Sequence, residues 1–451
     1  MTSPPGKLAL SEKIGYGLGD CAANFIFQTQ IVFLMNYYTD VAGISATAVG
    51  TMFLVSRLWD AVNDPIMGAL ADRTRSRWGK YRPWILWTAV PLAVSFVLVY
   101  TMPTLSPLGR IAWAYATYNL SMMLYTANNI PYSALSGVLT SDPVERTSLA
   151  TWRMAFGMVA ALVVNMFSLD LIKYFGRGDT ALGYQMTLGL WAAIAVLLFG
   201  VTFMTTRERA QTEPVQRSTF RQDIGDLLRN GPWLALFCLS VLIYFNLSMR
   251  GSMTLYYFQY FVGSDKHFGW FQGVGLSMTI VGIWLSKPLV ARFGQRTTFR
   301  LCLALTVVFT ALFGFVPPDA IWLLFLIQIG LQLSFGPTLP ILWAMMASVA
   351  DFSEWKTGRR ATAMTFAVTI FGFKIGQSFG GLVTGRLLDH FGYVPNVAQS
   401  AESLQGIVLM FAVIPASIYA VGLGVLMFYG IDRQLEVEIQ QALSARDAKR
   451  Q

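Results

Sequence analysis

Apolar residues run through this chain in long blocks, and the polar residues gather in short breaks between them. A window of about 19 residues picks out the blocks long enough to cross a hydrocarbon core of about 30 Å as helices. Twelve occur, centred near Phe33, Trp59, Val94, Leu124, Val163, Val196, Leu247, Ile280, Val307, Leu333, Gly376 and Ile418. The pattern predicts an all-α integral membrane protein. The longest polar break, residues 206–232, divides the chain into a bundle of six spans over 1–205 and another over 233–430, with a tail at 431–451. Gly- and Arg-studded turns follow the second span of each set, G-A-L-A-D-R-T-R-S-R-W-G-K-Y-R and K-P-L-V-A-R-F-G-Q-R-T-T-F-R, so the halves read as pseudo-symmetric copies.

Composition supports this reading: 55% of the 451 residues are hydrophobic and 13% charged, where soluble chains carry about 25% charged residues. A net charge of +9 would suggest nucleic acid in a soluble chain. Here the basic residues sit in loops, where they orient a membrane protein, and no nucleic-acid partner is expected. Arg73, Arg75, Arg77, Lys80 and Arg82 follow the second span; Arg207, Arg209, Arg217, Arg221 and Arg229 lie in the central break; Lys356, Arg359 and Arg360 precede the eleventh. The alternate loops near residues 39–46 and at Pro317 and Pro318 carry no base, which predicts both termini in the cytoplasm. The basic turns are expected to lock the cytoplasmic side through helix-end and ion-pair contacts, and residues 220–228 suit either a surface amphipathic helix or a solvated linker. The first residues lack the apolar core of a cleaved signal peptide. Cys21, Cys238 and Cys302 have no metal-ligand spacing and read as small apolar packers.

The candidate chemistry lies in the polar residues inside the spans, where charges are costly and mark ion or substrate sites. Arg57, Asp60 and Asp64 share one helix face in R-L-W-D-A-V-N-D-P. Two neighbouring carboxylates can ligate Na⁺ through oxygen or share a proton, and a structural ion-pair cluster is the competing reading. Asn24 and Gln28 lie one turn apart in span one, while Asn119, Tyr125, Thr126, Asn128 and Asn129 lie in span four before Pro131. Such amides and hydroxyls suit a polyhydroxylated ligand, or else tie packed helices together. Arg153, Arg250 and Lys374 are isolated charges: the arginines can grip a ligand with planar forks, and Lys374 can pair with Asp60 or Asp64. Trp343 offers a face on which a sugar ring can stack, as do Tyr256, Tyr257 and Tyr260. His267 and His390 fall near external span ends. Pro131, and Gly336, Pro337 and Pro340, are expected to interrupt spans four and ten.

Y-Y-T-D-V at 37–41, R-L-W-D-A-V-N-D-P-I-M-G at 57–68, R-S-R-W-G-K-Y-R-P-W at 75–84, N-N-I-P-Y-S-A-L at 128–135 and W-K-T-G-R-R at 355–360 carry a specific resemblance. Over nearly its whole length the chain resembles the glycoside–pentoside–hexuronide:cation symporters, the family of the melibiose permease, within the major facilitator superfamily. The resemblance implies the major facilitator fold, with twelve transmembrane helices in two bundles and substrate held near the midplane between them. It assigns Asp60, Asp64 and Thr126 to a cation site, with Asn129 at the position of a further acid. It places Tyr125, Arg153 and Lys374 among the residues that the family uses. Asn24 and Asn129 stand where the melibiose permease has aspartates, and Ser133 where it has tryptophan. Losing the span-four acid weakens a Na⁺ site and shifts the expectation toward H⁺.

The function expected is cation-coupled import of a sugar by alternating access, with a sugar and a proton or Na⁺ as small-molecule partners and no other cofactor. Sugar would be held by Asn24, Gln28, Tyr125, Asn129, Arg153, Arg250, Trp343 and Lys374, the cation by Asp60, Asp64, Thr126 and Asn129, with Arg57, Asp60, Asp64 and Lys374 forming the charge network that couples them. Counting Asp60 and Asp64 against Arg57, Arg153, Arg250 and Lys374 leaves a positive surplus, which suits an anionic sugar such as a hexuronide. A lysolipid or amphiphile symporter is the alternative, and the amide-rich faces of spans one and four argue against it. No nucleophile, metal cluster or phosphate loop suggests an enzyme. The chain is expected in the bacterial inner membrane, surrounded by lipid and working as a monomer.

Overall fold

The structure, a computed structural model, describes residues 8–140, 143–209, 230–357 and 362–448. The expected surface helix at 220–228 and the basic residues Arg217, Arg221, Arg229, Arg359 and Arg360 lie outside the described residues. The described chain is helical, its only strand-like feature an isolated bridge between Ser76 and Gly79. The first six helices are α1 (Leu10–Asn36), α2 (Ala46–Arg73), α3 (Arg82–Val99), α4 (Pro107–Leu139), α5 (Pro143–Gly176) and α6 (Thr180–Thr205). They are followed by α7 (Gly231–Tyr256), α8 (Phe268–Phe293), α9 (Gln295–Leu312), α10 (Ile321–Phe335), α11 (Thr338–Thr357) and α12 (Thr362–His390). The chain ends with α13 (Ala401–Val408), α14 (Ile414–Val425) and α15 (Arg433–Ala448).

Helix starts follow from local chemistry. Ser45, Ser106, Asp179, Asn230 and Ser400 each accept a hydrogen bond from the amide three residues on, satisfying one of the donors that a helix start leaves open. At the other end of α1 and of α7 the helix widens into a five-residue π-turn, Tyr37–Val41 and Tyr257–Phe261. The first helix of each half therefore finishes in the same way. A third π-turn, Leu409–Val413, joins α13 to α14. Pro131 lies inside a continuous α4, whereas the break at Gly336 and Pro337 does separate α10 from α11.

Nine helical stretches among the described residues are long and apolar enough to cross a membrane. The helices α2, α4 and α12 are not among them, and these are the ones that carry Arg57, Asp60 and Asp64, the asparagines 119, 128 and 129, and Lys374. On α2 the usual soluble pattern is inverted: Leu58 and Trp59 are each 50% exposed while Asp60 is 5% exposed. Large apolar side chains are likewise exposed in both units, Leu197 in the first and Trp284 and Phe428 in the second, which suits hydrocarbon rather than water.

By internal contacts the chain forms two units, and each is described by itself. Unit 1 covers Met1–Pro214 with Phe268–Gly273 and Val394–Val397, and unit 2 the remainder. In unit 1, α1 packs against α5 and α6, α3 against α4 and α6, and α2 against α4. Gly157 of α5 is a point of close approach, since a Cβ there would meet the Asp20 carboxylate and Asn24 of α1. In unit 2, α7 packs along α12, and its Leu236 and Leu239 share a core with Phe299 and Leu303 of α9 and Met345 and Met346 of α11.

Unit 1 is fastened by acids at or just beyond its helix ends. Glu208, three residues past α6, accepts from the amides of Lys80, Tyr81 and Arg82 at 2.8, 2.7 and 2.9 Å, covering the open start of α3. Gly79, with φ of 109°, lies directly against that carboxylate, where a Cβ would overlap it. Lys80 pairs with Asp72 at 2.8 Å; partial burial pulls its pKa down, but Asp72 and Tyr81 together more than offset this and leave it raised. Arg209 grips Glu12 through two nitrogens at 2.8 and 3.2 Å, and Lys13 pairs with Glu145 at 2.9 Å. Glu208→Ala removes an acceptor shared by three amides and is expected to cost about 1 to 3 kcal/mol, given partial exposure. Thermal unfolding of the purified protein in detergent measures it, and an unchanged midpoint would contradict this role.

Candidate cation and sugar site

Asp60, Asp64 and Thr126, three of the four residues expected to hold the cation, meet in unit 1 where α2 contacts α4, while the fourth, Asn129, bonds instead to Tyr125 and Ser133. Thr126 Oγ1 lies 2.6 Å from Asp60 Oδ1 and 3.3 Å from Asp64 Oδ1, so one hydroxyl bridges two carboxylates placed a turn apart. Asp60 and Thr126 are buried and Asp64 is partly so. Two prolines adjoin this point. Pro65 and Pro131 have no N–H to give the carbonyls of Ala61 and Ala127, leaving further oxygens beside Asp60 and Thr126 without their usual helical donors. The oxygen-rich donor set fits a small hard cation or a proton. Among the described residues no group of three or more His, Cys, Asp or Glu gathers to hold a metal.

Arg57 lies in electrostatic range of both aspartates and covers the ring of Phe27 at 5.7 Å. Phe27 in turn stacks on Tyr125 at 6.0 Å. From Tyr125 a run of hydrogen bonds leads away from the carboxylate pair. Asn129 Nδ2 donates to Tyr125 Oη at 2.9 Å, Ser133 Oγ to Asn129 Oδ1 at 3.2 Å, and Arg153 Nη1 to Ser133 Oγ at 3.2 Å. Arg153 Nε then meets Asp20 Oδ1 at 2.8 Å, while Asn24 Nδ2 donates to the other oxygen, Oδ2, at 3.0 Å. Arg153 also lies over the Tyr132 ring at 5.2 Å. Thus α1, α4 and α5 are joined through one polar line that begins at Asp20 and ends beside Arg57.

Asp20 is the residue that reading the sequence missed. Its carboxylate lies one turn before Asn24 on the same face of α1, and its partner is the arginine that had been counted as unbalanced. The signal was present: an isolated Arg153 within a span calls for an acid, and G-Y-G-L-G-D supplies one. Asn129 bonds to Tyr125 and Ser133, and Gln28 is half-buried one turn beyond Asn24. Asn128, by contrast, is buried and donates to Thr88 Oγ1 at 2.9 Å, tying α4 to α3.

Three other candidates belong to unit 2. Arg250 lies over the rings of Phe313 and Phe411 at 4.6 and 4.2 Å and donates to the Phe411 carbonyl at 3.0 Å, which anchors α7 to the π-turn before α14. Gln328 Oε1 lies 3.5 Å from its other terminal nitrogen. Trp343 is 41% exposed and meets Phe373 edge-on at 5.8 Å, and Lys374 is half-buried next to that phenylalanine. Tyr256 and Tyr257 are fully buried, and Tyr393 Oη donates to Tyr260 Oη at 2.9 Å.

Known proteins share both the fold and the sequence. The family described as MFS/sugar transport protein matches residues 15–433. The chain belongs to this family. It is 37% identical to the inner membrane symporter YicJ of Escherichia coli, over 91% of this chain and 90% of that one. It is 35% identical to the isoprimeverose transporter of Lactiplantibacillus pentosus, over 94% and 89% respectively. It is also 30% identical to the glucuronide carrier protein homolog of E. coli, over 94% of each. Among solved structures, a proton dependent oligopeptide transporter superposes with a TM-score of 0.67 at 12% identity, over 96% of this chain and 99% of that one. The family resemblance read from the motifs is thus correct: the chain is a glycoside–pentoside–hexuronide:cation symporter family member, a multi-pass inner-membrane transporter of the major facilitator type.

The Asp20 to Arg153 bridge gives a direct test. Either Asp20→Asn or Arg153→Gln leaves a charge without its partner, and each is expected to cost about 1 to 3 kcal/mol, less than a fully buried pair would because Arg153 is 31% exposed. The double variant is expected to cost less than the sum of the two. Additive losses in thermal unfolding would show that the two charges do not depend on each other.

Proposed function

We propose that the chain imports a sugar together with a cation, using Asp60, Asp64 and Thr126 as the cation site and the line from Asp20 to Tyr125 as the sugar-facing surface. The observation that carries this reading is the bridging of both carboxylates by one threonine hydroxyl, on a helix that exposes Leu58 and Trp59 while burying Asp60. A proton or Na⁺ arriving there relieves the repulsion between the two acids and loosens their hold on Thr126 and Arg57. Arg57 and Tyr125 share the ring of Phe27, so this change reaches Asn129, Ser133 and Arg153, the groups with free capacity for sugar hydroxyls. Sugar and cation then raise each other's affinity by the same factor, and the filled site is exposed alternately on the two sides of the membrane. With the basic loops inside, both termini lie in the cytoplasm.

Asp20 changes the expected sugar. Arg153 is already neutralised and Arg250 is engaged by two rings and a carbonyl, so the positive surplus that favoured a hexuronide is largely used within the protein. A neutral glycoside or pentoside is the substrate class we propose. The isoprimeverose transporter at 35% identity supports a glycoside carrier, and the glucuronide carrier homolog keeps a uronate as the second reading.

Asp64→Asn is expected to abolish uphill accumulation in vesicles while sugar exchange persists; undiminished concentrative uptake would reject the coupling role. Thr126→Val should raise the cation concentration needed for half-maximal uptake roughly tenfold, about 1.4 kcal/mol. Uptake of pentosides, glucosides, galactosides and uronates, with Na⁺ and pH gradients imposed separately, identifies substrate and ion. Equal competition by a neutral glycoside and its uronate would argue against the neutral preference.

A further inference from the structure

Unit 2 has a cavity of about 210 Å³ formed by the first turn of α9 and the start of α15. Arg296, Arg300 and Arg433 line it, together with Asp432 and Glu436. Both acids have other duties: Asp432 Oδ1 accepts from the amides of Gln434 and Leu435 at 3.1 and 2.9 Å, and Glu436 accepts from Ser348 at 2.8 Å. Arg296 donates to the Met427 carbonyl at 3.1 Å, which fixes its fork at the rim. Among the described residues no carboxylate lies within ion-pair distance of Arg300 or Arg433. The α9 start at Gly294 has no side-chain cap and no acid in its first turn, so its open amides add to the positive field.

An independent feature says what kind of anion would lie there. Next to the arginines, Phe293, Met427 and Phe428 are 42%, 68% and 77% exposed, making an apolar rim of the kind that borders hydrocarbon. A basic hollow beside a greasy rim at the end of a span is the arrangement that takes a lipid head group, with its phosphate among arginine forks and its acyl chains along the helices. Three guanidinium groups against two carboxylates leave a single positive charge. That balance matches a phosphodiester, which carries one negative charge, better than a doubly charged free phosphate.

The geometry points to a binding site for an anionic phospholipid head group, such as phosphatidylglycerol, between the starts of α9 and α15. Its placement on the cytoplasmic leaflet rests on the orientation proposed above, but the site itself does not depend on the substrate or the coupling ion. The bound lipid fastens α15 to the membrane-facing end of α9.

The test uses the full-length chain purified in detergent, with phosphatidylglycerol or phosphatidylcholine added at equal amounts and the retained lipid counted by native mass spectrometry. The wild type is expected to retain phosphatidylglycerol in preference to phosphatidylcholine. The Arg300→Gln/Arg433→Gln variant should lose that preference while its unfolding midpoint in phosphatidylcholine is unchanged. Equal preference in wild type and variant would overturn the proposal, and so would full displacement of the lipid by inorganic phosphate, which would assign the cavity to a free anion. Should the double variant fail to fold, Arg433→Gln alone, at an exposed position, carries the same comparison. Sugar uptake is not the readout, so the result stands apart from the success or failure of the symport reading.

Discussion

An ion placed in an apolar medium must find a partner close at hand, and that requirement organises the interior of unit 1. Moving a charge out of water costs several kcal/mol even after relaxation, so each intramembrane charge here is tied to another polar group. Arg153 finds Asp20, and the carboxylates of Asp60 and Asp64 find Thr126. These bonds decide which helices approach which: the first draws α5 onto α1, and the second draws α4 onto α2. Gly157 is needed where it is because a larger residue would push the Asp20 carboxylate away from its arginine.

The same requirement explains how the protein can carry something. A site that is fully satisfied within itself has no reason to take up a ligand, whereas one whose bonds are adequate but shared can exchange them. Thr126 has one hydroxyl proton for two acids, and Ser133 serves both Arg153 and Asn129. On the proposed function, each arriving group would take one of these shared bonds without leaving a charge bare, which would keep the cost of switching small.

Much of the helical plan was legible because the long apolar blocks can be read one at a time. The pair Asp60 and Asp64 stood out because a charge in such a block is rare, and the helical repeat places two of them on one face. Asp20 was less visible for the same reason in reverse: it lies nearer the end of its span, where an acid looks like ordinary interface chemistry, and the neighbouring Asn24 drew the attention instead. Pairings across long sequence distances, such as residue 20 with 153 or 208 with 80 to 82, depend on how helices pack and leave no local pattern. Arg250 shows the converse limit, since a lone arginine in a span reads as a ligand group until the two phenylalanine rings around it are seen.

The grip of Glu208 on the first turn of α3, and of Arg209 on Glu12, changes how force travels through unit 1. The chain is moored twice within four residues of leaving α6, so a pull from further along the sequence is taken up at the entrances of α3 and α1. The last turn of α6 is shielded from unwinding by a fixed cleat at Glu208 and Arg209.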